Sequence, residues 1–179
     1  MCYVKKLYVS DTHFSHPRIL QMSGRPFGDI AEHDETLIRN WNAIVGSDDI
    51  VFHLGDFAFG LGDVDRTRAL FFRLNGRKRL ILGNHDIDRR GNLHRGLADL
   101  PWDARPTPAC ETTDESKRVY LCHYASRVWP GMHHGSYHFF GHSHGKLPGI
   151  GRSRDVGVDM PDVAFVPRTF AELTAGLDV

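Results

Sequence analysis

Apolar and polar positions follow two different periods along the first half of the chain. Leu7-Tyr8-Val9 is a short β-type run that stops at Ser10-Asp11. Beyond a loop containing Pro17, Gly24, Pro26 and Gly28, the apolar residues Leu37, Ile38, Trp41, Ile44 and Val45 recur at helical spacing. Asp29 with Glu32 three residues on offers this helix a capping box. Gly46-Ser47-Asp48-Asp49 reads as a turn, and Ile50-Val51-Phe52-His53-Leu54 as a compact buried strand. A second helix starts near Asp63, carries Val64, Leu70, Phe71 and Leu74, and is expected to stop at Asn75-Gly76. Residues 79–82 form a third strand. Strand–helix–strand–helix–strand is the first half of an α/β sheet.

The second half reads differently. Residues 83–117 look loop-rich, with Pro101, Pro106, Pro108 and the polar stretch from Glu111 to Lys117. Short strands are expected at 118–122, 137–140, 155–158 and 163–166, with a last helix near 168–175. No internal repeat, low-complexity tract or linker interrupts the 179 residues, which fit one domain, 1–179.

Composition is globular: 41% hydrophobic, 25% charged, with 22 basic residues balancing 22 acidic ones. That balance supplies no overall field for long nucleic acid or an anionic membrane. No run approaches the roughly 18 apolar residues of a membrane span. The three cysteines, Cys2, Cys110 and Cys122, have neither even number nor C-x-x-C spacing, so neither disulfides nor a thiolate zinc site is expected. A cytoplasmic setting follows as the expectation. The unusual count is histidine, 12 in all, and imidazole is the commonest protein metal ligand.

Those histidines fall where the strands end. The first strand leads into Asp11-Thr12-His13, the second into Gly55-Asp56, and the third into Gly83-Asn84-His85-Asp86. Later, Leu121-Cys122 leads into His123, and Phe139-Phe140 into Gly141-His142-Ser143-His144. Ligands of open α/β sheets bind outside the carboxyl ends of the strands. Carboxylate, imidazole and amide oxygen without thiolate suit Mn, Fe, Zn, Ni or Co in a catalytic site. Asp11, His13, Asp56, Asn84, His123, His142 and His144 are seven side chains, too many for one open site. Two metals about 3.5–4 Å apart sharing a carboxylate accommodate them. Two divalent ions against two aspartates and a hydroxide leave positive charge, which favours an anionic substrate such as a phosphate ester. Taken singly, each residue also has an ordinary reading: Asp11 and Asp56 as strand-end caps, Asn84 as a turn residue, His123 as a core histidine, and His142 and His144 as loop surface.

In this order the five segments resemble the calcineurin-like metallophosphoesterase superfamily, with its D-x-H, G-D, G-N-H-[DE], H and G-H-x-H signature, over Asp11 to His144. The short chain resembles its small, single-domain phosphodiesterase branch. The resemblance implies a four-layer α/β/β/α sandwich with two mixed sheets. It implies one metal on Asp11, His13, Asp56 and His144, and a second on Asp56, Asn84, His123 and His142, with Mn²⁺ the first choice. It further implies in-line attack of a metal-bound hydroxide on a phosphodiester, with His85 protonating the leaving alkoxide and Asp86 orienting that imidazole. A phosphomonoesterase or nucleotide pyrophosphohydrolase would use the same core. A non-enzymatic metal-dependent scaffold would have no need of His85.

Other residues are less determined. His16, Arg25, Arg89 and Arg127 are candidates for holding a small phosphoester, possibly a nucleotide. His53 is expected to be buried and hydrogen-bonded; His33, His94, His133, His134 and His138 are expected at the surface. Trp129 is read as packing over the core edge, with a stacking face for a base as the alternative. Residues 66–95 carry nine basic side chains against two acidic ones, whereas 29–65 carry nine acidic against one basic. The ordinary account of such polarity is a solvated surface.

Overall fold

The computed structural model describes residues 4–177; Cys2 lies outside them, and Cys110 and Cys122 are free thiols. Strands β1 (Lys6–Val9), β2 (Ile50–His53) and β3 (Arg77–Leu80) are parallel neighbours. β8 (Arg168–Thr169) runs antiparallel on the other side of β1, giving the order β3-β2-β1-β8. The second sheet, β4 (Ala109–Asp114), β5 (Lys117–Cys122), β6 (Tyr137–Phe140) and β7 (Ser153–Asp155), has the order β4-β5-β6-β7. Its β4–β5 pair is antiparallel and its other pairs are parallel. The fold is thus an α/β sandwich of two four-stranded mixed sheets.

Strand alternation sorts the core into two. Leu7, Val9, Val51 and Leu80 point to one side and pack under α2 (Ile30–Ile44) and α3 (Val64–Arg73), against Leu37, Ile38, Trp41, Leu70 and Phe71. Tyr8, Ile50 and Phe52 point the other way and meet Val119, Leu121, Tyr137 and Phe139 of the second sheet. The Tyr8 ring stacks on Phe52 at 5.5 Å and meets the edge of Phe139 at 5.0 Å. Each such fully buried side chain contributes about 1.5–3 kcal/mol. The far face of the second sheet, with His138 and Phe140, is covered by Trp129 and a 3-10 turn at Met132–His134, a thin outer layer.

Both long helices start where expected. The Asp29 carboxylate accepts from Glu32 N at 2.8 Å, and Asp63 accepts from Arg66 N at 3.0 Å. α3 ends one residue early, at Arg73 with Leu74 as its cap, and β3 begins at Arg77 rather than 79 because its register is set by pairing with β2. The stretch 83–117 is not all loop: it holds α4 (Arg95–Ala98) and β4. The polar Glu111–Asp114 segment forms a strand because it is an edge, paired on one side only. Residues 14–30 contain the short α1 (Ile19–Met22). The strand expected at 163–166 is absent: Ala164 and Phe165 have positive φ, 50° and 62°, and the segment turns so that Val163 and Phe165 enter different cores. The last helix is α5 (Phe170–Thr174), capped by Thr169 and Glu172. β7 ends at Asp155, and the chain then crosses to the first sheet, where Gly157 bridges Ser10 in parallel. Ser10 N donates to Val156 O at 3.2 Å and Val158 N to Ser10 O at 3.1 Å. The two sheets are stitched together where β1 delivers Asp11.

Candidate metal centre

Every motif segment sits just beyond the carboxyl end of a parallel strand, and the chain there is bent unusually. Asp11, His13, Asp56, His142 and His144 all have left-handed backbones, with φ between 48° and 67°. Asp and His are among the residues that tolerate this region, at a cost of order 1–3 kcal/mol each. Hydrogen bonds among the segments hold the bends: Asp11 N donates to Gly55 O at 3.0 Å and His13 N to Asp56 O at 3.0 Å. His142 N donates to the Asp11 carboxylate at 2.9 and 3.1 Å. The glycines preceding these residues are required by space. A Cβ at Gly55 (φ +96°) would lie 2.5 Å from His123 Nδ1, and one at Gly141 would overlap Ser10 and Asp11.

The bends converge the side chains. Ligand atoms of Asp11, His13 and His144 lie within 4.8 Å of one another, as do those of His13, Asp56 and His85, and of Asp56, His123 and His142. Asp56 is the shared member of the last two groups. Its Oδ1 is fixed by the His85 amide at 2.9 Å. Its Oδ2 then stands 3.5 Å from His13 Nε2 and 3.6 Å from His123 Nε2. Asn84 Oδ1 comes within 3.3 Å of the same His123 nitrogen.

This donor set fits divalent cations. His13 is 2% exposed, yet neither of its ring nitrogens has a hydrogen-bond partner, a costly arrangement unless something else accepts the lone pair. Burial, reinforced by the charges of His144 and Arg25, pushes the His13 pKa far down, so the ring is neutral and able to ligate. His123 and His144 are set in the ligating tautomer by acceptor-only partners. His123 Nδ1 donates to Leu54 O at 2.7 Å, and His144 Nδ1 to Asp159 Oδ2 at 2.6 Å, which leaves each Nε2 as a lone pair. Burial opposes charge on His144, but the Asp159 bond and the charges of Asp11 and Asp159 outweigh it and raise its pKa. Burial, together with the Asp56 and Asp155 charges, raises that of Asp11 against the pull of His144. A cation would reverse the Asp11 shift.

A second tier of acids, not singled out from the sequence, supports the ligands. Asp159 holds His144 and also accepts from Arg25 Nε and Nη2, both at 2.8 Å. Asp155 fixes the loop between the last two histidines, accepting from Ser143 Oγ at 2.6 Å and Gly145 N at 2.9 Å. Asp159 directly follows the apolar residues Val156 and Val158, a signal shared by many surface aspartates, and Asp155 ends the polar strand β7 with no such signal.

Some expected roles change. Arg25 is buried and fully engaged: beyond Asp159 it donates to Asp11 O, Thr12 O and His33 Nε2, so it anchors the ligand loop instead of meeting substrate. His33 is buried by that contact and by Asp34, and is not a surface residue. His138 is buried too, sitting on the inner side of the Trp129 layer and accepting from Ser126 N at 3.0 Å. Trp129, 4% exposed, has no free face for a base. Arg127 lines a separate cleft with Phe140 and Leu147. Asp86 does not orient His85: its two oxygens accept from Asp56 N, Phe57 N and Gly83 N at 2.8–3.0 Å, tying the second and third loops together. Burial, joined by the Asp56 charge, pushes its carboxyl up to about 6 despite those donors. His53 is buried as expected, bonded to Thr12 Oγ1 at 2.8 Å. His16 does reach the centre, its ring 5.4 Å from His13 and 6.0 Å from His85. Asn84, His85 and Arg89 line a cleft of about 690 Å³ beside the ligands, together with the half-buried His94, in place of the surface position expected for it.

No family model matches the chain. Over 84 residues it is 43% identical to the uncharacterized protein MJ1445 of Methanocaldococcus jannaschii, a match covering 46% of this chain and 48% of that one. The chain therefore spans about half the length of that curated relative. Among solved structures, the protein of unknown function AQ665 from Aquifex aeolicus superposes with a TM-score of 0.73 at 21% identity, covering 97% of this chain and 99% of that one. That likeness shows the same fold. A looser one, TM-score 0.42 at 15% identity over 88% of this chain and 72% of the other, is to a conserved uncharacterized protein from Streptococcus pneumoniae TIGR4, a predicted phosphoesterase. Among the described residues no helix is long and apolar enough to cross a membrane.

Proposed function

We propose that this chain is a metal-dependent phosphoesterase of the calcineurin-like metallophosphoesterase superfamily and that it hydrolyses a phosphodiester. The observation that carries the reading is the Asp56 carboxylate. One oxygen is pinned by a backbone amide, and the other faces two imidazole Nε2 atoms at 3.5 and 3.6 Å. A carboxylate so placed suits a ligand common to two cations. Asp11, His13, Asp56 and His144 would hold one; Asp56, Asn84, His123 and His142 would hold the other. Oxygen and imidazole donors without thiolate favour Mn²⁺, with Fe, Zn, Ni and Co as alternatives. When bound, such a pair supplies Lewis-acid stabilisation of the phosphoryl oxygens and lowers the pKa of a water to about 7.

The chain's own residues do the rest. His85 stands at the junction of ligands and cleft, its ring 5.1 Å from His13. From there a ring N–H of His85 would hydrogen-bond a phosphoryl oxygen and give a proton to the departing alkoxide. With two divalent ions bound, two acidic ligands would leave net positive charge, which would favour an anionic ester. A monoester carries up to two charges and calls for more guanidinium groups. Of the three arginines considered, Arg25 is consumed internally and Arg127 lines another cleft, so Arg89 alone stands near the centre. This favours the diester over a monoester or pyrophosphate.

Metal analysis combined with turnover of a nitrophenyl phosphodiester and its monoester, with Mn²⁺ and with chelator, tests the reading. Expected are close to two metals per chain and chelator-sensitive diester hydrolysis well above monoester hydrolysis. His85→Ala should keep its metal and lose turnover of an alkyl ester by about 10²–10⁴-fold. Full alkyl-ester turnover in that variant would remove His85 from its role, and a chain that binds no divalent metal would refute the reading.

A further inference from the structure

The cleft beside the ligands has a built character of its own. Ala58, Leu61 and Ile87 give it an apolar floor, Arg89 and His94 bring donors, and among the described residues no carboxylate lines it. Phe59 stands at its wall, 45% exposed, whereas Phe14 and Phe57 on the same segments are fully buried. One face of the Phe59 ring stacks on the His16 imidazole, centroids 4.3 Å apart and planes 22° apart. His16 is itself 6% exposed, so the ring behind Phe59 is held within the protein.

The backbone beneath the ring is also fixed. Phe59 N donates to Phe14 O at 2.8 Å, and one Arg66 nitrogen donates to both Phe59 O and Gly60 O at 2.8 Å. An aromatic ring backed on one face, held by its main chain and open on the other is preorganised for stacking, with little ordering cost left to meet on binding. The volume, about 690 Å³, lies within the range of pockets for drug-sized ligands.

We infer that this cleft receives the departing half of the substrate and that this half is a nucleoside, its base stacked on Phe59 and its acceptor edge toward Arg89 and His94. The inference rests on the phosphodiesterase reading. A flat, acceptor-rich group matches a rigid ring, an apolar floor and donors without acids. A sugar alone would want carboxylate acceptors, and a lipid alcohol has no use for Arg89. In the step, the bond from phosphorus to the nucleoside oxygen breaks and a new one forms to the oxygen of water. That water leaves one proton to the site, and His85 gives one to the nucleoside oxygen.

The test compares thymidylyl-thymidine with the methyl ester of thymidine 3′-phosphate under Mn²⁺. Cleavage of the bond opposite the 3′-oxygen expels thymidine through its 5′-hydroxyl from one and methanol from the other, and chromatography of the products establishes which bond broke. The dinucleotide should be favoured in kcat/KM by roughly tenfold or more, the size of one base–aromatic stack. Phe59→Ala should bring the ratio toward one, and Phe59→Tyr should keep it. Equal rates in the unaltered protein, or a proportional loss on both substrates in Phe59→Ala, would overturn the inference. Absence of turnover on both esters while the nitrophenyl diester is hydrolysed would also overturn it, and absence on all three would sink the phosphodiesterase reading instead. Thymidine binding followed by NMR then judges the cleft: loss of binding in Phe59→Ala sustains the stacking face, and failure of the unaltered protein to bind thymidine overturns it.

Discussion

Replacing Asp159 by Asn separates what holds the fold from what holds the metal. Its buried carboxylate receives three donors: His144 Nδ1 at 2.6 Å and Arg25 Nε and Nη2 at 2.8 Å. An amide of the same shape offers one oxygen, and its NH₂ group must then face a donor. The negative charge beside a buried guanidinium is also lost. Breaking a buried ion pair costs about 3–5 kcal/mol, and the lower end applies here because Arg25 keeps its bonds to Asp11 O and Thr12 O. The second effect is on His144, whose Nδ1–H no longer has a carboxylate to define the tautomer and enrich the ligating nitrogen. Loss of such a partner typically weakens metal binding 10–100-fold, about 1.4–2.7 kcal/mol. At saturating Mn²⁺ that difference adds to the destabilisation, because a ligand bound only by the folded state stabilises it in proportion to its affinity. Urea titrations of both proteins, once with chelator and once with Mn²⁺, should therefore show a larger loss with metal, by about that amount. Isothermal titration with Mn²⁺ should give the same increment independently. Equal losses in the two conditions would refute the argument and reduce Asp159 to a structural ion pair.

Three further outcomes are expected. Gly55→Ala, at φ +96° and with His123 Nδ1 and Gly83 N inside 3 Å of the new Cβ, should lose at least about 2 kcal/mol in urea unfolding; a change below half of that would remove the steric argument. Lys78 is buried over the Phe71 ring, 4.3 Å from its centroid, and burial holds its pKa down to about 8. Between pH 8 and the unfolded value near 10.4 the unfolded chain binds a proton that the folded chain has lost, so this residue makes stability rise with pH there. Lys78→Met should flatten that rise, and an unchanged pH profile would contradict the assignment. Phe139→Ala, which empties the middle of the inter-sheet core, should cost about 3–5 kcal/mol by thermal or urea melting; a loss under 1 kcal/mol would mean that the two sheets do not share that contact.

The parts legible from the sequence were those where local pattern and tertiary demand agree. Leu37, Ile38 and Trp41 lie on the buried stripe of α2, and the apolar runs at 50–53 and 137–140 are strands buried on both faces. The candidate ligands were legible for a different reason: their types and order follow strand ends, and the fold draws parallel strand ends together. The failures are non-local. Ala109–Asp114 is a strand only because β5 pairs with it, residue for residue from Ala109 with Cys122 to Asp114 with Lys117. The apolar segment 163–166 turns because Val163 and Phe165 are needed in separate cores. Arg25 and Asp159 find each other across 134 positions of sequence, and nothing near either residue signals the pairing. Asp86 reads as a partner of its neighbour His85, yet its oxygens close the loops around Asp56 and Gly83.

The seam between Ser10 and Gly157 has a consequence for cooperativity. Asp11, His13, Asp56 and Asn84 hang from the first sheet, and His123, His142 and His144 from the second. Without ions, those ligand loops are held by apolar contact and a limited set of hydrogen bonds, among them His142 N to the Asp11 carboxylate, His123 Nδ1 to Leu54 O and the bridge at Ser10, so local opening of either half costs only those contacts. A cation that takes donors from both sides makes opening of either half cost the whole of its binding energy. Amide exchange in β2 and β6 should then move closer to a common rate as metal is added, so that the seven side chains proposed to gather the ions would also join the sandwich into one unfolding unit.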